Sequence, residues 1–298
     1  MSELLIKKIE NNMHMFTAKQ KLVAVAILQD PMAASFYSVK EFAKKAGVSP
    51  SSVVRFAQQI TDGGFPQLQT ELYDYVQTIS NPIERLQMNV SPESEDDALL
   101  AKIFETQLEN MRKTFNQNLI SSAKNAANLI AQASHTYICG SRGSFAPAYY
   151  LGHHLNRVLN NVDIVADDSR LSDFLLRLRA EDVVILFGPP RYSGRMLAMA
   201  NQVKKSGAKL ISITDSPQSP FVQCSDISFF VYYQSNDYHN SALAPMLVSE
   251  VLISIIISRN LNRALDNLDA IEPIFDKLNQ FTFSGRSLDT PKNAHEHG

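Results

Sequence analysis

The residues best placed to do chemistry fall in two stretches rich in glycine, serine and arginine. Gly140-Ser141-Arg142-Gly143-Ser144 follows a short apolar run and precedes a helical one. Small residues there let the backbone approach an anion, and exposed N–H groups together with a helix dipole favour negative charge. The same residues also suit an ordinary strand-to-helix turn in which Ser144 is a plain N-cap. Gly188-Pro189-Pro190-Arg191-Tyr192-Ser193-Gly194-Arg195 repeats the arrangement after a second apolar run. Arg191 and Arg195 add forked donors that match phosphate or carboxylate, although surface arginines need no such role. Two such turns on one sheet edge can converge on a single ligand. The expected contacts are Ser141, Arg142, Gly143, Ser144, Arg191, Tyr192, Ser193, Gly194 and Arg195. His239 and Ser241, between the last apolar run and an apolar helix, join them, with His239 as an uninvolved loop histidine the alternative. His153 and His154 are weaker candidates, because one of two adjacent helical residues must point away from any site.

A second set of polar residues has a different character. Ser38-Val39-Lys40-Glu41 has capping-box spacing, which starts a helix just after Ser38. Gly47 can take the positive φ of a tight turn, and Ser49-Pro50 is an N-cap followed by proline at the first helical position. Two short helices joined by such a turn form a helix-turn-helix unit, packed through Val39, Phe42, Ala43, Val48, Val53, Val54 and Phe56 or Ala57. Ser51, Ser52, Arg55, Gln58 and Gln59 remain as polar positions on the second helix, with Ser49 at its start. These side-chain types hydrogen-bond base edges or phosphates in a major groove. Lys40, Lys44 and Lys45 on the first helix would hold flanking phosphates. The competing interpretation is a helical hairpin with a solvated polar face.

The surrounding chain has to position these groups. With 298 residues there is room for two cores. Apolar residues make up 45% and charged residues 19%, the balance of a folded protein. A net charge of −2 is too small to coat nucleic acid through bulk charge, so any DNA contact must be local. Cys139 and Cys224, far apart in apolar surroundings, fit reduced core thiols better than a disulfide or zinc site. The first residues lack the apolar core of a signal peptide, and the apolar run 243–257 is too short for a membrane span. A cytoplasmic location without membrane contact is expected.

Residues 4–76 recur at helical spacing throughout and predict an all-helical unit. Residues 79–97 gather Pro, Ser, Asn and acids without periodicity, which is linker composition. Residues 98–133 read as helix. Beyond them, apolar runs at 136–139, 162–165, 183–187, 210–214 and 227–231 alternate with helical stretches at 145–159, 194–206 and 242–259. Such alternation predicts a mostly parallel sheet covered on both faces, with ligands at the carboxyl ends of its strands. The boundaries expected are 1–78 for the helical domain, 79–97 for the linker, 98–283 for the α/β domain and 284–298 for a disordered polar tail.

FTAKQKLVAVAILQDP, SVKEFAKKAGVSPSSVVRFAQQI and GGFPQLQTEL, in this order and spacing, resemble the N-terminal domain of the RpiR family of sugar-metabolism regulators. Gln58-Gln59 stands where relatives often carry basic residues. The two glycine-serine turns, with residues 207–215 and Ser219-Pro220, resemble the sugar isomerase (SIS) domain that follows in such regulators, over residues 98–259. The resemblance implies an all-α helix-turn-helix bundle followed by an α/β SIS domain with a five-stranded parallel sheet flanked by helices. It further implies self-association as a homodimer or homotetramer and a phosphosugar held by loop serines. Most such domains offer Ser, any residue, Ser, Gly, any residue, Thr in the second turn; here Arg191 replaces the first serine and Met196 lies at or near the threonine. The extra arginines suggest more negative charge, such as a sugar-acid carboxylate.

The function expected from this resemblance is regulation of carbohydrate metabolism, with double-stranded operator DNA and a phosphorylated sugar or sugar acid as partners and no cofactor or metal. The alternative is an aldose–ketose isomerase, since the same fold carries both and an enzyme would need only a positioned base such as Glu250 or His239. No Walker lysine follows a glycine-rich loop and no G-x-G-x-x-G follows a strand, so kinase and dehydrogenase readings have no support.

Overall fold

The computed structural model describes residues 2–29, 31–89, 95–217, 219–278 and 280. The chain opens with helices α1 (Ser2–Asn11), α2 (Ala18–Gln29), α3 (Pro31–Phe36), α4 (Val39–Ala46), α5 (Pro50–Ile60) and α6 (Gly64–Ser80). Their apolar faces close on Phe42 and Phe56, both fully buried, with Phe16 meeting Phe56 edge-on at 5.2 Å. Local signals set the ends of α4. The Glu41 N–H donates to Ser38 Oγ (3.3 Å) and the Ser38 N–H donates to Glu41 Oε2 (2.8 Å), so the capping box is closed. Those bonds from Ser38 hold the Glu41 carboxyl below its ordinary pKa. Gly47, at φ 66°, ends the helix in a conformation that costs an L side chain about 1–2 kcal/mol. Of the residues expected between α4 and α5, Val54 is only half-buried and lies outside the core cluster that takes Val53, Phe56 and Ala57.

The stretch expected to be aperiodic carries helix α7 (Pro82–Asn89). Asn81 separates it from α6, accepts from the Ile83 N–H at its side-chain oxygen (3.0 Å), and is followed by proline at the first helical position. Two turns of helix are too short for periodicity to show in the sequence. The single helix expected over residues 98–133 is two helices, α8 (Asp96–Thr114) and α9 (Gln117–Gln132). Asn116 takes an extended backbone (φ −138°, ψ 178°), and its side chain accepts from the Leu119 N–H, starting the chain in a new direction.

The remainder alternates strand and helix: β1 (Thr136–Gly140), α10 (Phe145–Leu159), β2 (Val162–Ala166), α11 (Arg170–Arg177), β3 (Val183–Phe187), α12 (Gly194–Ser206), β4 (Lys209–Thr214), β5 (Ile227–Phe230), α13 (Leu243–Arg259) and α14 (Leu261–Lys277). Helices α11 and α14 have no counterpart in the sequence expectation. Among the described residues the strands form one parallel five-stranded sheet in the order β2-β1-β3-β4-β5. Every side chain of β3 is buried because the sheet is covered on both faces. One layer carries Leu119, Leu151, Leu155, Val248 and Leu252 from α9, α10 and α13. The other carries Phe174, Met199 and Val203 from α11 and α12. Both cysteines are free and buried, and burial raises the Cys139 thiol pKa well above its ordinary value.

Among the described residues no single helix is long and apolar enough to cross a membrane; α13 and α14 pass that test only as a pair bent by 101°. Residues 284–298, expected as a polar tail, lie outside the described residues.

Candidate ligand cleft and candidate nucleic-acid interface

Strand order fixes where a cleft opens. The chain runs from β1 outward to β2, then returns past β1 to β3, so the connections leaving β1 and β3 diverge to opposite faces. A crevice forms at that reversal, beyond the carboxyl ends of the two strands. A cavity of about 670 Å³ lies there, walled by the loops after β1 and β3 and by the 233–245 segment. Gly140 makes the first loop possible: a Cβ on it would sit 2.5 Å from the Ser144 carbonyl oxygen and 2.9 Å from Ala148 Cβ.

Both loops place an arginine in the left-handed backbone region, Arg142 at φ 53° and Arg191 at φ 64°. Both line the cleft. Among the described residues neither guanidinium forms a hydrogen bond or ion pair. Ser141, Gly143, Ser144, Tyr192, Ser193, His239 and Ser241 also reach the wall, so the two expected loops and the 239–241 segment do meet in one place.

Several of these groups are already engaged. Ser144 is buried; its hydroxyl accepts from the Ser141 N–H (3.1 Å) and lies within hydrogen-bond reach of the Ser141 and Phe187 carbonyl oxygens (2.9 and 3.1 Å). It ties the two loops together and does not cap α10. Ser193 caps α12 by accepting from the Met196 N–H (3.3 Å). The Tyr192 hydroxyl donates to Asp215 Oδ1 (2.8 Å), and burial followed by the Asp215 charge raises its pKa well above the ordinary value. Tyr192 therefore offers the cleft its ring rather than a free hydroxyl. Ser241 donates to Gln107 Oε1 of α8, and the His239 ring pairs with Asp237.

Two expected contacts are elsewhere. The Arg195 Nε lies 2.9 Å from Asp167 Oδ1 and a second nitrogen donates to the Asp168 carbonyl (2.6 Å), so this arginine ties α12 to the loop after β2. It is four residues past Arg191 and already on the first turn of α12, which turns it out of the cleft wall. Gly194 does not line the cleft either, and a Cβ on it would meet nothing within 4 Å. His153 and His154 lie on α10 beside Tyr149 and Tyr150, away from the cleft wall.

Arg85 is not among the contacts expected from the sequence. This arginine of α7 enters the same cleft and donates to Asn240 Oδ1 (2.8 Å) and to the His239 carbonyl (2.6 Å). Asn240 in turn donates to the Pro190 carbonyl (3.1 Å), which links α7 to the loop carrying Arg191. Burial lowers the Arg85 pKa from its ordinary value; Asp237 opposes that shift and the positive charge of Arg191 adds to it. No carboxylate is among the described residues that line the cleft. Three arginines, Arg85, Arg142 and Arg191, thus line a cleft whose described wall holds no acid, a charge balance suited to an anion.

In the helical unit, Lys40, Lys44, Lys45, Ser49, Ser51, Arg55, Gln58 and Gln59 are all exposed and Ser52 is half-exposed. Ser49 has the extended N-cap backbone, but its hydroxyl bonds those of Ser51 and Ser52 (2.9 Å each) and not a backbone N–H. Gln59 accepts from Gln20 of α2 at its side-chain oxygen, which leaves Arg55 and Gln58 as the long polar side chains of α5 without a partner among the described residues.

A helix-turn-helix bundle joined to a doubly wound sheet with an arginine-lined cleft has the two-domain build of a regulator. Residues 3–79 match the helix-turn-helix domain of the rpiR family and residues 129–255 match the SIS domain. The chain belongs to the rpiR family of transcriptional regulators. An uncharacterized HTH-type transcriptional regulator of Thermotoga maritima is 24% identical over 269 residues, spanning 89% of this chain and 95% of the relative. The HTH-type transcriptional regulator HexR of Escherichia coli is 24% identical over 287 residues, spanning 92% and 96%. Among solved structures, the sugar isomerase domain of an RpiR transcription factor from Sphaerobacter thermophilus aligns with a TM-score of 0.57 and 26% identity, covering 59% of this chain and 98% of that one. The NanR protein of Vibrio vulnificus, complexed with ManNAc-6P, shares the fold with a TM-score of 0.54 and 15% identity, covering 92% and 98%.

Proposed function

We propose that this regulator binds operator DNA through α4 and α5 and that a phosphorylated sugar acid, bound in the SIS-domain cleft, modulates that binding. The observation that carries the reading is that Arg85, Arg142 and Arg191 line one cleft whose described wall contains no carboxylate. A single phosphate is satisfied by one arginine fork and backbone N–H groups; three guanidinium groups suit a ligand with a second anionic group. The NanR complex with ManNAc-6P is in keeping with a phosphosugar, though not with a second anionic group, since that ligand has no carboxylate.

In this reading Arg55 and Gln58 face base edges, Lys40, Lys44 and Lys45 hold phosphates, and Ser49, Ser51, Ser52 and Gln59 complete the contact surface. Two recognition helices held by a homodimer would match a two-fold operator, and DNA binding places the protein in the cytoplasm. The helical and SIS domains would meet across α7. An isomerase reading needs a base at the sugar carbonyl. Glu250 is bonded to Tyr150 and does not line the cleft, and His239 is paired with Asp237, so the cleft residues favour binding over proton transfer.

The test is a thermal-shift and calorimetric comparison of glucose 6-phosphate with 6-phosphogluconate, which differ by the carboxylate, combined with binding to a duplex from the upstream region of the protein's own gene. Stronger binding of the acid and a changed duplex affinity are expected. Equal binding of the pair removes the second-anion claim; turnover of either sugar, with no duplex bound, removes the regulator reading.

A further inference from the structure

We infer that Arg85 is the contact through which an anion in the cleft acts on the helix-turn-helix domain. The inference rests on the preceding reading of the cleft and adds its route. The arginine belongs to neither the sheet nor its loops. It stands on α7, which a single residue, Asn81, separates from α6. Helix α6 is the spine of the helical domain and packs directly on α5, the helix with the exposed Arg55 and Gln58. A displacement of α7 therefore reaches the candidate groove-reading helix through one covalent joint and one packed pair of helices.

In the present arrangement Arg85 is held by two neutral acceptors, the Asn240 side-chain oxygen and the His239 carbonyl. A phosphate or carboxylate oxygen is a stronger acceptor, since charge-assisted hydrogen bonds are roughly twice as strong as neutral ones. An anion entering the cleft competes for the Arg85 fork, whose charge burial disfavours and Asp237 and Arg191 affect in opposite directions. The charge-assisted bonds favour the ligand over the neutral acceptors. The segment that Arg85 would release is itself held from other sides. Asn110 of α8 donates to the Gln234 carbonyl (2.7 Å), and Asn240 donates to the Pro190 carbonyl (3.1 Å). Beyond Arg85, α7 is tied to that anchored segment by one long bond, from Asn89 to the Ser235 carbonyl (3.4 Å), so α7 is the more weakly held side and the one that answers the exchange. By linkage, the anion changes duplex affinity only as far as it distinguishes two positions of Arg85.

The experiment uses the full chain as wild type, Arg85→Ala and Arg85→Lys, with inorganic phosphate, glucose 6-phosphate and 6-phosphogluconate as probes. Calorimetry gives the anion Kd, and fluorescence anisotropy gives the affinity for the upstream duplex with and without saturating anion. Arg85→Ala should bind the best probe about tenfold more weakly or worse. At saturation its duplex affinity should no longer respond to the anion, while a cooperative melting transition shows that the variant folds. Arg85→Lys keeps the charge without the fork and should recover part of the anion affinity. Unchanged anion affinity in Arg85→Ala overturns the inference. So does a weakened affinity with a full duplex response at saturation, because Arg85 would then be a ligand contact without a role in transmission. If wild type takes up none of the three probes, the reading of the cleft itself falls; a failure confined to the Arg85 variants leaves that reading in place.

Discussion

Arg142 and Arg191 stand two and four residues beyond Gly140 and Phe187, the paired ends of adjacent strands β1 and β3, and both hold a left-handed backbone, at φ 53° and 64°. Apart from Asn160 at the end of α10, they are the non-glycine residues of positive φ among those described. A side chain in that region costs about 1–2 kcal/mol, so glycine would be the easier residue at either position. Each arginine thus stands where the backbone alone favours glycine, and each lines the cleft.

Replacing Arg191 by glycine separates those two effects. The backbone relaxes, while the larger unfolded-state entropy of glycine takes back about 0.5–1 kcal/mol, so stability should hold or rise by up to about 1 kcal/mol. Affinity for 6-phosphogluconate should fall at least about tenfold with loss of the charged fork. Urea denaturation and calorimetry check the pair, and a destabilised variant with full affinity would contradict the assignment.

Arg55 is exposed on α5 and has no partner among the described residues. Arg55→Ala should weaken binding to the operator duplex by about 1–3 kcal/mol if the arginine makes a forked base contact. Lys44→Ala should weaken all duplexes alike and lower the salt slope by about one charge. Anisotropy titrations across salt concentrations distinguish the two, and an Arg55→Ala protein with wild-type affinity would remove Arg55 from the interface.

Cys139 lies in the middle of the sheet with no exposed surface, and burial holds its thiol protonated far above neutral pH. Native protein at pH 8 should leave this cysteine unmodified by iodoacetamide, with modification following addition of urea. Mass spectrometry of the tryptic peptide reads the result. Rapid alkylation in the native state would mean that the β1 side of the core opens.

Leu261, Leu265 and Leu268 recur at i, i+4 and i+7 on α14 and are 53%, 55% and 38% exposed. An exposed apolar stripe of this kind, on the last of the described helices, suits contact with a second copy. Leu265→Glu should shift the protein toward monomer in sedimentation velocity with little change in monomer folding. An unaltered sedimentation profile would exclude α14 from the interface.

Local chemistry made most of the elements legible. The Ser38-to-Glu41 capping box, Gly47 and Ser49-Pro50 define both helices of the turn because each acts within a few residues of itself. The buried runs of β1, β3 and β4 announce themselves because strands covered on both faces are mostly apolar, even with Ser212 and Thr214 buried in β4. Helix α11 is eight residues long and α7 equally so, which is too brief for a repeating pattern. The break between α8 and α9 turns on one side chain, Asn116, whose cap could equally have stayed within a continuous helix.

The candidate site was legible only as far as its loops. Arg191 and Arg195 carry the same charge four residues apart, yet the first lines the cleft and the second is taken by Asp167, an acid 28 residues away in the chain. Arg85 lies 155 residues from its partner Asn240 in a stretch whose composition reads as connector, and spacing along a chain carries no information about such a meeting. The residue types and the order of strands and turns were set by local propensity and hydrophobic pattern, which depend on near neighbours. Which of the cations would share one cleft was decided by the 2-1-3-4-5 strand order and the fold-back of α7, because only packing of the whole sheet brings distant segments within hydrogen-bond reach.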